Sequence, residues 1–444
     1  MEDCTVFFLL ATLLSLLRFV TVSAASPTPP LFPDEALPTK SGYLPVKPAA
    51  GSSMFYAFYE AQTPTSPIPQ TPLLVWLQGG PGCSSMIGNF YELGPWRVTT
   101  RATELERNPG AWNRLFGLLF VDNPIGVGFS FAASKDDIPR NQRQMAEHLY
   151  AAIVEFIEQN PGFQNRPVYI TGESYAGKYV PAIGYYILKE RPDGPVNLKG
   201  LAIGNGLTDP VPQVRTFAVN AYYMGLVNAK QREELERAQE RAVELVKVGK
   251  WSEATDARNK VLRLLQNMTG LATLYNFGRR VPYRSDLVEE LLNQVEAKRA
   301  IGADESVRFE ECSDDVEEAM HGDVMKSARK MVEYALERTK VMLYQGMLDL
   351  RDGVVSTEEW MKTMAWRGMG GFTAAERHVW RDGRGGRAGY VQRWGNLCHV
   401  AVAEAGHFVP TDQGVNSREM IESWVLEKGL FGGGESTPGF RGCL

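Results

Sequence analysis

The chain has 444 residues, 44% of them hydrophobic and 22% charged, which suits one large globular domain with an insertion, or two domains. A formal net charge of −5 leaves no basic field to hold a phosphate backbone, so nucleic acid is excluded as an expected partner. Five cysteines are too few for a disulfide scaffold, and the hydrophobic core must do most of the stabilising.

The chain opens on an apolar run, Val6 to Leu17, followed by Arg18 and the small residues Val22-Ser23-Ala24-Ala25. This reads as a signal peptide over residues 1–25, although Glu2 and Asp3 stand where a basic start is usual. About a dozen apolar residues fall short of the roughly 20 that a spanning helix needs. No later run is long enough either, so the expectation is a secreted protein, extracellular or vacuolar, with no membrane attachment once the signal is removed. Residues 26 to about 48, rich in Pro, Ser and Thr, read as an extended lead-in.

Short apolar runs then alternate with amphipathic stretches. Leu73–Leu77, Leu118–Val121, Val168–Ile170, Leu201–Ile203, Val341–Tyr344 and Val400–Ala403 have the pattern of buried strands in a mostly parallel sheet. Helical patterns cover Asn141–Gln159, Lys178–Glu190, Val316–Arg338 and Ser417–Glu427. Alternating strand and helix predicts an α/β fold, with core parts over 26–208 and 309–428. Between them, 209–308 carries charge-dense helical stretches without strands, expected to be a helical insertion capping the site. Within it Asn267-Met268-Thr269 is an N-glycosylation sequon. Residues 429–444 read as a disordered tail.

The strongest local signal is Gly172-Glu173-Ser174-Tyr175-Ala176-Gly177, directly after a strand and opening a helix. A serine on such a turn holds its hydroxyl above the sheet, the nucleophile elbow of α/β-hydrolases, in which the acid and then the histidine follow the serine. Of the five histidines, His148 precedes the serine, His321 lies in a polar helical pattern, His378 sits among arginines in an expected loop, and His399 falls within a strand. His407 remains, on the loop Ala405-Gly406-His407-Phe408 after a strand. The acid is expected at the C-terminal end of Val341–Tyr344, where Asp349 is favoured over its rival Asp352. Gln78-Gly79-Gly80-Pro81-Gly82 can supply an oxyanion-hole N–H, with Tyr175 giving the other. That loop lacks the Gly-Lys-Ser/Thr ending of a phosphate-binding loop, and no His, Cys or carboxylate cluster has metal-ligand spacing. No metal and no cofactor are expected.

The segments WLQGGPGCSS, ELGPW, NPIGVGFS, TGESYAGKYVPA, GNGLTDP and AGHFVP, in this order and spacing, resemble the serine carboxypeptidase family and its plant serine carboxypeptidase-like group. The resemblance runs from about Gly42 to Leu426 and is weakest in the insertion. It implies Ser174 as nucleophile, His407 as general base, Asp349 as orienting acid, and the Gly80 and Tyr175 N–H groups as oxyanion hole. It further implies that Gln78, Gly79 and Glu173 bind the C-terminal carboxylate of the substrate. Glu173 would pair with Glu92, one of the two carboxyls staying protonated. Gln78 stands where the family usually has Asn, and Met347 where many relatives carry an additional Asp. Cys83 and Cys312 match a disulfide of the family, whereas Cys398 and Cys443 have no match and stand as candidate free thiols.

The function implied is a carboxypeptidase releasing C-terminal residues through an acyl-enzyme, at acid pH, on a peptide or small acyl substrate, by a monomer or homodimer. Two other readings use the same scaffold: an acyltransferase with sugar-ester donors, and a catalytically silent secreted binding protein. Glu173 argues against the first, since the acyltransferase branch tends to carry Asp there and Thr in place of Gln78. The complete set of triad, oxyanion loop and paired glutamates argues against the second.

Overall fold

The computed structural model describes residues 31–102 and 104–432. The expected signal peptide, Cys4 and Cys443 lie outside the described residues.

Ten strands form one sheet in the order β1-β2-β6-β3-β7-β8-β9-β12-β11-β10. They are β1 (Lys40–Pro45), β2 (Ser53–Tyr59), β3 (Leu73–Leu77), β6 (Gly117–Val121), β7 (Val168–Glu173), β8 (Leu198–Gly204), β9 (Lys340–Gly346), β10 (Arg377–Arg381), β11 (Arg387–Trp394) and β12 (Leu397–Val402). β4 (Trp96–Val98) and β5 (Leu105–Arg107) make a separate two-stranded ribbon. The six strands from β6 to β12 run parallel, and antiparallel strands close both edges.

Every residue of β3 is buried, because both faces of the sheet are covered. Its side chains alternate between two cores: Leu73, Val75 and Leu77 join one, Leu74 and Trp76 the other. The first face is covered by helices Gln142–Gln159 and Ala176–Tyr185, through residues such as Ile153, Phe156 and Val180. The second is covered by helix Gly414–Val425 through Met420, Ile421 and Trp424. Sheet, crossover helices and elbow together make this the expected α/β-hydrolase fold.

The sequence-based expectations need four corrections. The lead-in contains β1, whose half-exposed residues give no apolar run but pair with β2 from Lys40↔Phe58 to Pro45↔Ser53. His378 lies on β10, a strand disguised by its arginines, and not on a loop. The expected helix Val316–Arg338 is two helices, Asp314–Met320 and Arg329–Leu336, separated by a turn whose carbonyls at Asp323, Val324 and Lys326 receive the buried ammonium of Lys178. Residues 429–431 form a short 3-10 turn rather than tail, because Phe431 is buried edge-on against Trp380.

The helical excursion after β8 is also heterogeneous. Helices Ala229–Lys247 and Trp251–Thr269 pack on each other around Leu235, Val243, Val261 and Leu265, a core of their own. Helices Asp286–Leu292 and Val295–Ile301 instead join the second face of the sheet through Val288, Leu291 and Ile301.

Candidate active site

Ser174 leaves β7 with φ +60° and its backbone N–H bonded to the Gly204 carbonyl at 3.0 Å. A left-handed conformation at a non-glycine residue costs about 1–2 kcal/mol and persists where its surroundings impose it. They do so here, because a Cβ at Gly172 would lie 2.5 Å from the Leu77 carbonyl and 2.8 Å from the Ala176 Cβ. The turn is therefore folded tightly onto β3, and the partly accessible Ser174 side chain faces a cavity of about 270 Å³.

His407 lines the same cavity. Its Nδ1 is 2.7 Å from Asp349 Oδ2, and both side chains are essentially inaccessible. Asp349 is held in turn by Asn205 Nδ2 at 2.8 Å on the same oxygen and by the Arg351 N–H at 2.8 Å on Oδ1. The rival Asp352 pairs with Gln213 and the buried Arg258 and makes no hydrogen bond to the imidazole among the described residues. The remaining histidines are elsewhere: His399 is buried against Gln345 on adjacent strands, His321 faces Asp256, and His148 sits on helix Gln142–Gln159. His407 Nε2 is buried and bonded to no described residue, so the hydroxyl of Ser174 is not hydrogen-bonded to it in this structure.

Gly79 packs directly on the elbow, where a Cβ would stand 2.6 Å from both the Ser174 Cβ and the Tyr175 nitrogen. The N–H groups of Gly79, Gly80 and Tyr175 donate to no other group among the described residues, which leaves three donors around the serine for an anionic oxygen. Gly80 reaches this position with φ +112°. The loop is tied down twice: the Cys83–Cys312 disulfide joins it to the later core, and Asp122 accepts from Ser84 Oγ at 2.6 Å and the Ser85 N–H at 2.9 Å.

Beside the serine lies a cluster of two carboxyls and one amide. Gln78 Nε2 donates to Glu173 Oε1 at 2.8 Å and to Glu92 Oε1 at 3.1 Å, while Gln78 Oε1 accepts from Trp76 Nε1 at 2.9 Å. All three cluster side chains are buried, yet Gln78 and Glu173 line the cavity. Burial pushes the Glu92 carboxyl up to about 8, and burial together with the neighbouring Glu92 pushes Glu173 well above the usual carboxyl range. Both donors of Gln78 are thus engaged by the pair. The extra methylene relative to Asn places the amide between the glutamates, with Trp76 fixing which way it faces.

Asn205 was missed from sequence. Its signal is the Gly204-Asn205-Gly206 turn at the end of β8, where Asn205 takes φ +42° and its Oδ1 also receives the Gly346 N–H at 3.2 Å. The Lys178 cage was missed as well, because lysine inside a helix is ordinarily solvated.

A hydroxyl on a strand-to-helix elbow, an imidazole oriented by a buried carboxylate and free amides around the hydroxyl define a serine hydrolase of the α/β-hydrolase class. Residues 30–427 match the model of the family described as serine carboxypeptidase, and the chain belongs to that family. It is 77% identical to Serine carboxypeptidase-like 50 of Arabidopsis thaliana, over 97% of this chain and 96% of that protein. It is also 35% identical to a venom serine carboxypeptidase of Apis mellifera, over 89% of this chain and 86% of that one. Among solved structures it resembles a prohormone-processing carboxypeptidase of Saccharomyces cerevisiae, with a TM-score of 0.79 and 25% identity, covering 89% of this chain and 92% of the other.

Proposed function

We propose that this carboxypeptidase works in or beyond the secretory pathway, on the acid side of neutrality, with Ser174, His407 and Asp349 as its triad. The observation that carries the reading is the buried Gln78–Glu92–Glu173 cluster opening beside the serine. Neutral carboxyls next to a nucleophile can donate hydrogen bonds to the terminal carboxylate of a peptide, which ionised ones would repel.

In the reaction His407 Nε2 takes the proton of the Ser174 hydroxyl as its oxygen attacks the scissile carbonyl, and Asp349 holds the imidazolium through Nδ1. The N–H groups of Gly80 and Tyr175 receive the oxyanion. The imidazolium then protonates the leaving amine, the C-terminal amino acid departs, and water cleaves the acyl-enzyme by the same proton route. The Gly79 N–H and the Glu173 carboxyl contact the substrate carboxylate. Glu92 holds the second proton, and Gln78 orients the pair more than it touches the substrate. A signal peptide over residues 1–25 and a glycan on Asn267, exposed near the end of helix Trp251–Thr269, suit this route.

The test compares the mature protein with Ser174→Ala near pH 5 on N-blocked dipeptides with a free or an amidated C-terminus. Release of the last residue from the free acid alone, abolished in the variant, is the expected result. Labelling of Ser174 by a fluorophosphonate without cleavage of either peptide would instead favour acyl transfer, and no labelling a binding role.

A further inference from the structure

Between helices Trp251–Thr269 and Asp286–Leu292 the chain crosses the two loops that carry Asp349 and His407. It is bonded to both. On the acid loop, the Phe277 N–H donates to the Leu348 carbonyl at 3.0 Å and the Leu350 N–H to the Leu274 carbonyl at 3.1 Å. On the histidine loop, the backbone N–H of His407 itself donates to the Tyr275 carbonyl at 2.7 Å.

Two side chains complete the attachment. Asp412, whose side chain is 7% exposed, accepts on Oδ2 from the Gly406 N–H at 2.8 Å, Asn276 Nδ2 at 2.9 Å and the Tyr283 hydroxyl at 2.6 Å. Its Oδ1 accepts from Arg279 at 3.3 Å. Tyr275 lays its ring over the imidazole of His407, with centroids 4.3 Å apart and planes 34° apart, while the Arg351 guanidinium lies 4.6 Å from the centre of the tyrosine ring. The approach is close enough that a Cβ at Gly406 would collide with the Tyr275 carbonyl.

The need for such an attachment follows from the geometry of the base. One hydrogen bond from Nδ1 to Asp349 leaves an imidazole free to tilt about that line, and Nε2, on the far side, has no hydrogen-bond partner among the described residues to stop it. A second ring packed against its face, here tilted by 34°, restricts this freedom. We infer that residues 274–283 form a strap that positions the acid–base pair, in which Tyr275 sets the tilt of His407 and Asp412 holds the strap to the histidine loop. The inference rests on the roles proposed above for Ser174, Asp349 and His407; Tyr275 and Asp412 act through His407 and are positioning residues.

The full mature chain is tested as Tyr275→Leu, Tyr275→Phe and Asp412→Asn, with Ser174→Ala and His407→Ala alongside. The readouts are kcat and KM on a free-acid dipeptide, normalised to sites titrated by a fluorophosphonate, and the rate of that labelling. Tyr275→Leu and Asp412→Asn are expected to lower both kcat and the labelling rate by about 30- to 100-fold, the scale of a misplaced catalytic group, with KM changed less than about threefold. Tyr275→Phe, which restores the ring, is expected to recover most of the loss seen with leucine. A kcat per titrated site within about threefold of wild type in Tyr275→Leu overturns the strap, as does a phenylalanine variant no better than leucine. Should Asp412→Asn fail to fold, the two Tyr275 variants decide, since they leave the backbone bonds in place. Full activity in His407→Ala would remove the base the strap serves and overturn both readings, whereas inactivity of that variant beside an unaffected Tyr275→Leu would overturn the strap alone.

Discussion

If the carboxyl pair binds the substrate carboxylate as proposed, substrate affinity should depend on pH in a calculable way. Glu92 is pushed from the ordinary 4.5 up to about 8 by burial, so ionising it inside the cluster costs about 5 kcal/mol more than in water. Below pH 7 both carboxyls would then keep their protons, the state that can donate to an incoming carboxylate. Each pH unit above 8 should reduce the neutral form about tenfold and raise KM for a free-acid dipeptide by the same factor. The double variant Glu92→Gln/Glu173→Gln keeps amide donors but has nothing to titrate, so its KM should stay flat from pH 5 to 9. The assay is initial-rate kinetics over that range, with kcat and KM followed separately. The sign for folding is the same: the native state keeps protons that the unfolded chain releases above about 4.5, so this stabilisation is complete at low pH and is lost as pH rises through 8. Relative to wild type, the double variant should therefore melt at progressively higher temperature as pH increases. A wild-type KM that does not change from pH 6 to 9, or an equal rise in the double variant, would refute the reasoning.

Three other outcomes are expected. Gly79→Ala places a methyl against the backbone of Tyr175 and the Cβ of Ser174, and should cost at least about 100-fold in kcat, measured against unchanged far-UV dichroism. Asn205→Ala removes one charge-assisted hydrogen bond from Asp349, worth about 1.5–3 kcal/mol, and should lower kcat about 10- to 100-fold with KM nearly constant. Cys312→Ser opens a link across a sequence separation of 229; chain entropy sets about 5 kcal/mol as the loss of stability, read from urea unfolding of wild type and variant.

The parts of the fold most legible in the sequence are the apolar runs of the central parallel strands, whereas the antiparallel β2 was not read as a strand although six of its seven residues are buried. The six runs expected as strands fall on β3, β6, β7, β8, β9 and β12, with Ala403 one residue past the end of β12, because a parallel strand covered on both faces reads as a near-continuous apolar run. The edge strands were illegible for the same reason. β1 is half exposed and β10 has an arginine at each end and only Trp380 buried, so their strand state depends on the neighbour that takes their backbone hydrogen bonds. The cap expected over 209–308 likewise divides into a part with its own core and a part that belongs to the sheet, since an amphipathic helix does not declare which apolar surface will receive it.

At the site, residue order and local turn chemistry pointed to Ser174, His407 and the loop Gln78–Gly82, each at the end of a recognisable strand, whereas separate roles for Gly79 and Gly80 came only with the family resemblance. The sequence by itself therefore determined the fold class and the candidate nucleophile, imidazole and oxyanion loop, because strand burial and elbow geometry are local constraints written in consecutive residues. Only the tertiary structure decided that Asp349 rather than Asp352 meets His407, that Asn205 supports it, that Gln78 serves the glutamate pair, and that Tyr275 lies on the imidazole. Those partners come from segments tens to hundreds of residues apart, and hydrogen-bond direction and ring stacking exist only once the packed core has fixed where each loop ends.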